Sequence, residues 1–168
     1  DSALNYSWQG YNKIVSNIPY HLSEEVINKA IISDVEEIVL IVGERFKEIL
    51  FSSEKIGLIA GKFYDIKEII RVSKNSFEPV PRVDSSLITL KKKNKISELD
   101  KILIDISFGN GKVKNSIIRA VQKTGKTKRQ CREIISKLGL DKKALEKPAK
   151  MITGKLIMKI EEGLKKFV

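Results

Sequence analysis

The feature that most constrains the fold is a change of hydrophobic periodicity near residue 91. Before it, short β-branched runs alternate with amphipathic stretches; after it, apolar residues recur only at three-to-four spacing. Residues 13–17 (KIVSN) read as a buried strand ending at a proline turn. A helix is expected from about Ser23, where Ser23-Glu24-Glu25-Val26 offers a cap and early acids. Residues 36–42 (EEIVLIV) read as a second buried strand, stopped at Gly43, with helical stretches at 44–51 and around 58–63. Further strands are expected at 66–73 and 86–91, on either side of a proline-rich loop at 76–82. This alternation predicts an α/β fold, an open sheet with antiparallel strands at its far end. Downstream, helices are expected at 96–108, 113–123, 128–138 and 156–167, punctuated by Gly109-Asn110-Gly111, Gly125 and Lys147-Pro148. The chain therefore divides into residues 1–93 and a helical domain, 94–168.

Charge divides at the same place. Residues 1–90 carry 10 Lys/Arg and 13 Asp/Glu, whereas residues 91–168 carry 22 and 8, which accounts for the net charge of +11. A surplus confined to one domain suits a polyanionic partner such as nucleic acid, although lysine-rich surfaces also serve solubility. Cys131 has no second cysteine to pair with, and one histidine, His21, leaves no Cys/His set for zinc. No metal is expected, and a reducing, cytoplasmic setting fits. No run approaches the roughly 20 apolar residues that span a bilayer, so the chain reads as soluble, with no membrane partner.

Asn17-Ile18-Pro19-Tyr20 places an amide, a turn-forming proline and an aromatic ring directly after an apolar strand. In open α/β sheets ligands bind at the carboxyl ends of strands. An exocyclic adenine amine is a poor nucleophile because its lone pair is delocalised into the ring. The Asn17 side-chain oxygen and the Pro19 carbonyl are two acceptors suited to both amine protons, favouring a pyramidal nitrogen, while Tyr20 can stack on the base. A second string, residues 76–86 (SFEPVPRVDSS), puts Phe77 on a proline-stiffened loop just before a strand, where it can supply the opposite face of a base sandwich. Read without the first motif, Phe77 would simply cap the core. His21 reads as a polar residue at a helix start rather than a base.

The paired strings Asn17-Ile18-Pro19-Tyr20 and Phe77-x-Pro79-x-Pro81-x-Val83-Asp84-Ser85 resemble the signature of the rRNA adenine dimethyltransferases, and the likeness runs over nearly the whole chain. The resemblance implies a partial Rossmann-like methyltransferase sheet with a small all-helical C-terminal domain. It also implies S-adenosylmethionine as donor and dimethylation of adenosines in small-subunit rRNA during ribosome biogenesis. Asn17, Pro19, Tyr20 and Phe77 then form the target site, with Asn17 also touching the donor. Residues 108–117 resemble the basic helix start of the small-subunit branch. In that reading Lys112, Lys114, Arg119, Lys123, Lys126, Lys128, Arg129 and Arg132 contact RNA phosphates. The implied partner is small-subunit rRNA or a pre-ribosomal particle, bound by a monomer.

The chain departs from the family pattern at named places. No glycine-rich donor loop precedes Asn17, so the chain reads as an N-terminally truncated, weakly active or inactive fragment. Its opening, Asp1-Ser2-Ala3-Leu4, resembles the family's Gly-Asp-Ala-Leu string, with Ser2 or, after a local shift, Asp1 at the donor-contacting acid. Gly43-Glu44-Arg45-Phe46 stands where Gln-x-Glu-Phe is usual, so Arg45 replaces a carboxylate. Three other readings remain open: a noncatalytic ribosome-assembly or RNA-binding factor, a large-subunit rRNA adenine methyltransferase, and a DNA adenine methyltransferase.

Overall fold

A computed structural model describes residues 2–167 and divides the chain into two compact units. The first runs to Ser52 and resumes over Ile56–Asn94; the second takes Ser53–Lys55 and everything from Lys95 onward. In the first unit, β1 (Lys13–Asn17), α1 (Ser23–Ile32), β2 (Glu37–Gly43), α2 (Glu44–Leu50), α3 (Lys55–Phe63), β3 (Tyr64–Val72) and β4 (Ser85–Lys92) follow one another. The strands form one sheet in the order β1-β2-β4-β3, with β1 parallel to β2 and both pairs involving β4 antiparallel. This is the open α/β sheet with an antiparallel far end that the sequence predicts.

β2 and β4 are the interior strands, and Ile38, Leu40, Val42, Ile88 and Leu90 are fully buried. Val26, Ile27, Ala30 and Ile31 of α1 and Ile56, Ile59 and Ala60 of α3 complete the core, the spacing of one helix face in each case. Tyr64 is buried too, its hydroxyl donating to the Val35 carbonyl at 2.9 Å.

β1 is not the buried strand its composition suggests. It pairs only with β2 among the described strands, and Val15 is 69% exposed. An edge strand has one neighbour, so β-branched composition does not guarantee cover. Ser23 does not cap α1 either. The cap position is Leu22, and the Ser23 hydroxyl donates to the Tyr20 carbonyl at 2.8 Å instead.

The second unit contains α4 (Glu98–Ser107), α5 (Val113–Gln122), α6 (Lys128–Lys137), α7 (Lys142–Glu146) and α8 (Gly154–Leu164). Ile102, Leu103, Ile106, Ile117, Val121, Ile135, Ile157, Ile160 and Leu164 form its core, with Cys131 buried among them. Most of its helix starts follow from local caps. The Ser97 hydroxyl accepts the Asp100 N–H, which leaves Ile96 outside α4, and Thr153 caps α8 two residues before the expected start. α7 was not expected from periodicity; Asp141 starts it by accepting the Ala144 N–H at 2.6 Å.

Candidate active site

Strand register gathers the motif residues at one end of the sheet. Asn17 ends β1 opposite Ile41, Gly43 ends β2 opposite Ser85, and Ser85 also pairs with Val72 at the end of β3. The loop carrying Phe77 joins β3 to β4 and so lies at this same end.

Asn17 is exposed, and its side-chain amide has no hydrogen-bond partner among the described residues. Pro19 precedes a single turn of 3-10 helix, Tyr20–Leu22, and its carbonyl accepts the Leu22 N–H at 2.9 Å. A carbonyl oxygen has two lone pairs, so one acceptor direction remains. Tyr20 is half-buried. Its hydroxyl shares a hydrogen bond with the Ser85 hydroxyl, and its ring lies so close to Gly43 that a Cβ there would stand 3.1 Å from Cδ2. The absence of a side chain at Gly43 therefore makes room for the ring. His21 lies in the same short turn and is exposed.

Phe77 follows a short turn, Lys74–Ser76, and is half-buried; the Glu78–Pro79 peptide bond is cis. Asp84 closes this loop: its carboxylate accepts the Lys74 N–H at 3.0 Å and an Arg71 guanidinium N–H at 3.1 Å, while its carbonyl accepts the Glu44 N–H at 3.1 Å. The Lys74 amide, and then Arg71, hold the Asp84 carboxyl below the usual range.

Beside it, buried Ser86 has one hydroxyl hydrogen and two carboxylates in reach, Glu44 at 2.5 Å and Glu68 at 2.6 Å. It can donate to only one at a time. Lys47, 2.8 Å from Glu44 and 3.3 Å from Glu68, supplies the remaining donors. Lys47 and then Ser86 keep the Glu44 carboxyl low, Ser86 and then Lys47 do so for Glu68, and Glu44 chiefly pushes the Lys47 ammonium up. The sequence reading assigned no role to Ser85, Ser86, Lys47 or Glu68. Asp84 and Ser85 lie inside the signature, but their partners come from other segments: Arg71 on β3, Lys74 in the loop, Glu44 on α2 and Tyr20 in its turn. Arg45 is exposed, and the carboxylate that joins the cluster is its neighbour Glu44.

Ser2 caps a short 3-10 turn at Ala3–Asn5, accepting the Leu4 N–H at 3.3 Å, and Asp1 lies outside the described residues.

In the second unit the eight cations fall on α5 and its cap residue Lys112, on α6 and on the turn between the two helices. Seven are exposed and Lys126 is half-buried. Three are engaged with carboxylates: Lys112 with Glu146 at 2.5 Å, Lys123 with Asp105 at 2.7 Å and Arg129 with Glu133 at 3.3 Å. Arg119 donates to the Asn110 carbonyl and Lys126 to the Thr124 hydroxyl. Lys128 and Arg132 have no polar partner among the described residues, and Lys114 makes no hydrogen bond or ion pair but lies within electrostatic reach of Glu146.

The profile of the family described as ribosomal RNA adenine dimethylase matches residues 6–138, most of both units. The chain belongs to this family. Among curated members, a probable ribosomal RNA small subunit methyltransferase A of Thermococcus kodakarensis is 26% identical over 177 residues, covering 98% of this chain and 62% of that protein. The ribosomal RNA small subunit methyltransferase A of Mycoplasmopsis pulmonis is 40% identical over 98 residues, 52% of this chain and 38% of that one. An rRNA adenine N-6-methyltransferase of Escherichia coli is 41% identical over 80 residues, 46% of this chain and 33% of that one. The chain thus spans less than two thirds of the length of each of these relatives. In fold it is similar to the crystal structure of a dimethyladenosine transferase from Plasmodium falciparum, with a TM-score of 0.57 at 18% identity over 99% of this chain and 71% of that one. The family's Rossmann-like architecture is therefore present here as a four-stranded portion. No described helix is long and apolar enough to cross a membrane.

Proposed function

We propose that this chain carries the adenine-holding site and the RNA-anchoring helices of an enzyme that dimethylates adenosines of small-subunit rRNA, in the cytoplasm, during ribosome assembly. The observation that carries the proposal is the convergence of Asn17, the Tyr20 turn and the Phe77 loop at one end of the sheet. Asn17 holds one proton of the target amine through its unpaired side-chain oxygen, and the Pro19 carbonyl holds the other. Tyr20 and Phe77 clamp the base, which must be unstacked or already single-stranded to enter. Orientation does the chemical work: two acceptors on one amine localise its lone pair, and the rings aim it.

S-adenosylmethionine, when bound, supplies an electrophilic methyl group on a sulfonium. The open Asn17 amide fits a role at its reacting end. Ser2 offers a hydroxyl already engaged as a cap, not the carboxylate of the family string. Lys128 and Arg132 are the cations best able to meet phosphates, because no carboxylate competes for them, followed by Lys114, which shares the field of Glu146 with Lys112 but makes no ion pair with it. The small-subunit target is favoured by the Thermococcus relative, whose likeness extends over 98% of the chain and so includes the helical unit.

The test is transfer of labelled methyl from S-adenosylmethionine to undermethylated small ribosomal subunits, using this chain, a form extended at its N-terminus, and the extended Asn17→Ala variant. Labelled dimethyladenosine is expected with the extended form, with Asn17→Ala about 100-fold slower. No label with any folded, particle-binding form would replace the enzyme reading with that of a noncatalytic assembly factor.

A further inference from the structure

We infer that the adjacent pair Asp84-Ser85 positions both walls of the base site: Asp84 sets the turn that carries Phe77, and Ser85 sets the ring of Tyr20. The inference rests on the reading of Tyr20 and Phe77 as the clamp. Ser85 is fully buried, and its backbone is laddered on both sides, to Gly43 and to Val72. Its hydroxyl is thus a fixed reference point, and the Tyr20 hydroxyl is bonded to it. Gly43 leaves the ring its place from another direction, since a methyl group there would stand 3.1 Å from Cδ2. A ring tied at its tip to a fixed hydroxyl has little freedom to tilt.

Asp84 acts on the other wall. Its carboxylate holds the Lys74 N–H, at the start of the turn that Phe77 ends, and its carbonyl holds the first N–H of α2. Because the two residues are covalent neighbours, one peptide unit relates the two walls. Neither touches the base in this assignment; both act through an aromatic neighbour.

The test pairs a structural and a binding measurement on this chain and on Ser85→Ala, Tyr20→Phe, the double variant, and Asp84→Asn. With 13C-labelled tyrosine, Ser85→Ala should move the Tyr20 ring signals and leave those of Tyr64 in place. A single-stranded RNA with one 2-aminopurine reports stacking by fluorescence quenching. Ser85→Ala and Tyr20→Phe should each weaken its capture about threefold to tenfold, the worth of one hydrogen bond, and the double variant no further. Asp84→Asn should weaken capture while leaving the Tyr20 signals unmoved. Unchanged Tyr20 signals in Ser85→Ala, or additive losses in the double variant, overturn the positioning role. Because 2-aminopurine lacks the 6-amine that Asn17 and Pro19 would hold, the same RNA with adenosine is tested in parallel by filter binding; if the wild-type chain captures neither, the adenine-site reading fails, and the tyrosine signals still decide whether Ser85 holds Tyr20.

Discussion

The two units start their helices differently. In the first, α1 and α2 begin after Leu22 and Gly43, neither of which makes a side-chain cap, and the first N–H of α2 is taken by the Asp84 carbonyl from the approach to β4. In the second, Ser97, Thr127, Asp141 and Thr153 each accept an N–H three residues ahead, with Gln130 completing a capping box at Thr127. α2 thus starts through a partner distant in sequence, as α5 of the second unit does through the Lys147 carbonyl, whereas the other four helices of the second unit start through neighbours. Residues that must converge on a small target belong to the first kind, because register between strands fixes positions more tightly than a solvent-exposed helix face does. A surface that meets phosphates tolerates the looser kind.

The largest effects test whether each unit has its own core. Leu40→Ala in the first and Ile117→Ala in the second should each cost about 2–5 kcal/mol, since both side chains are fully buried. Hydrogen exchange should speed up mainly in the unit that carries the substitution; equal acceleration in both would erase the distinction. Next, Lys114→Gln, Lys128→Gln and Arg132→Gln together should weaken RNA binding and flatten its logarithmic salt dependence, by about 0.7 for each single-strand phosphate that is no longer neutralised. An equal weakening from Lys112→Gln and Lys123→Gln would show that their carboxylate partners give way.

Thr127→Ala should cost about 1 kcal/mol by urea denaturation, because it removes one local cap. A larger loss would mean that α6 depends on more than its own start. The smallest effect is of pH. Glu44, Glu68 and Asp84 titrate below the usual carboxylate range, so their contribution is complete above the unfolded-state value and disappears as pH falls through the lowered native ones. Lys47, raised, contributes fully below the ordinary lysine value and loses that contribution as pH rises through its own. Acid below about pH 4 should therefore loosen the sheet end of the first unit, modestly and less so in high salt, because Glu68 and Asp84 are partly solvated. Thermal melts at pH 7 and pH 3, with Glu68→Gln as control, check this; a slope unchanged by Glu68→Gln would remove the cluster from the account.

The helical unit was largely readable because its signals are local: apolar spacing gave α4, α5, α6 and α8, and only boundaries moved where Ser97 or Thr153 capped. Its cations were readable as charges but not as free charges, since Lys123 finds Asp105, and Lys112 finds Glu146, only after folding. In the first unit the strands, their antiparallel far end and the motif residues were visible. The exposure of Val15 was not, because it depends on which strand becomes an edge.

The sequence by itself determined the α/β-then-helical order, the division of charge between the units and the residues able to hold a base, since each follows from residue type and short-range spacing. Only the tertiary structure decided that Ser85 meets Tyr20, that Asp84 closes the Phe77 loop and that Gly43 leaves room for a ring. Those contacts join segments that chain chemistry leaves independent, and they form only when the register of β2, β3 and β4 brings their ends together.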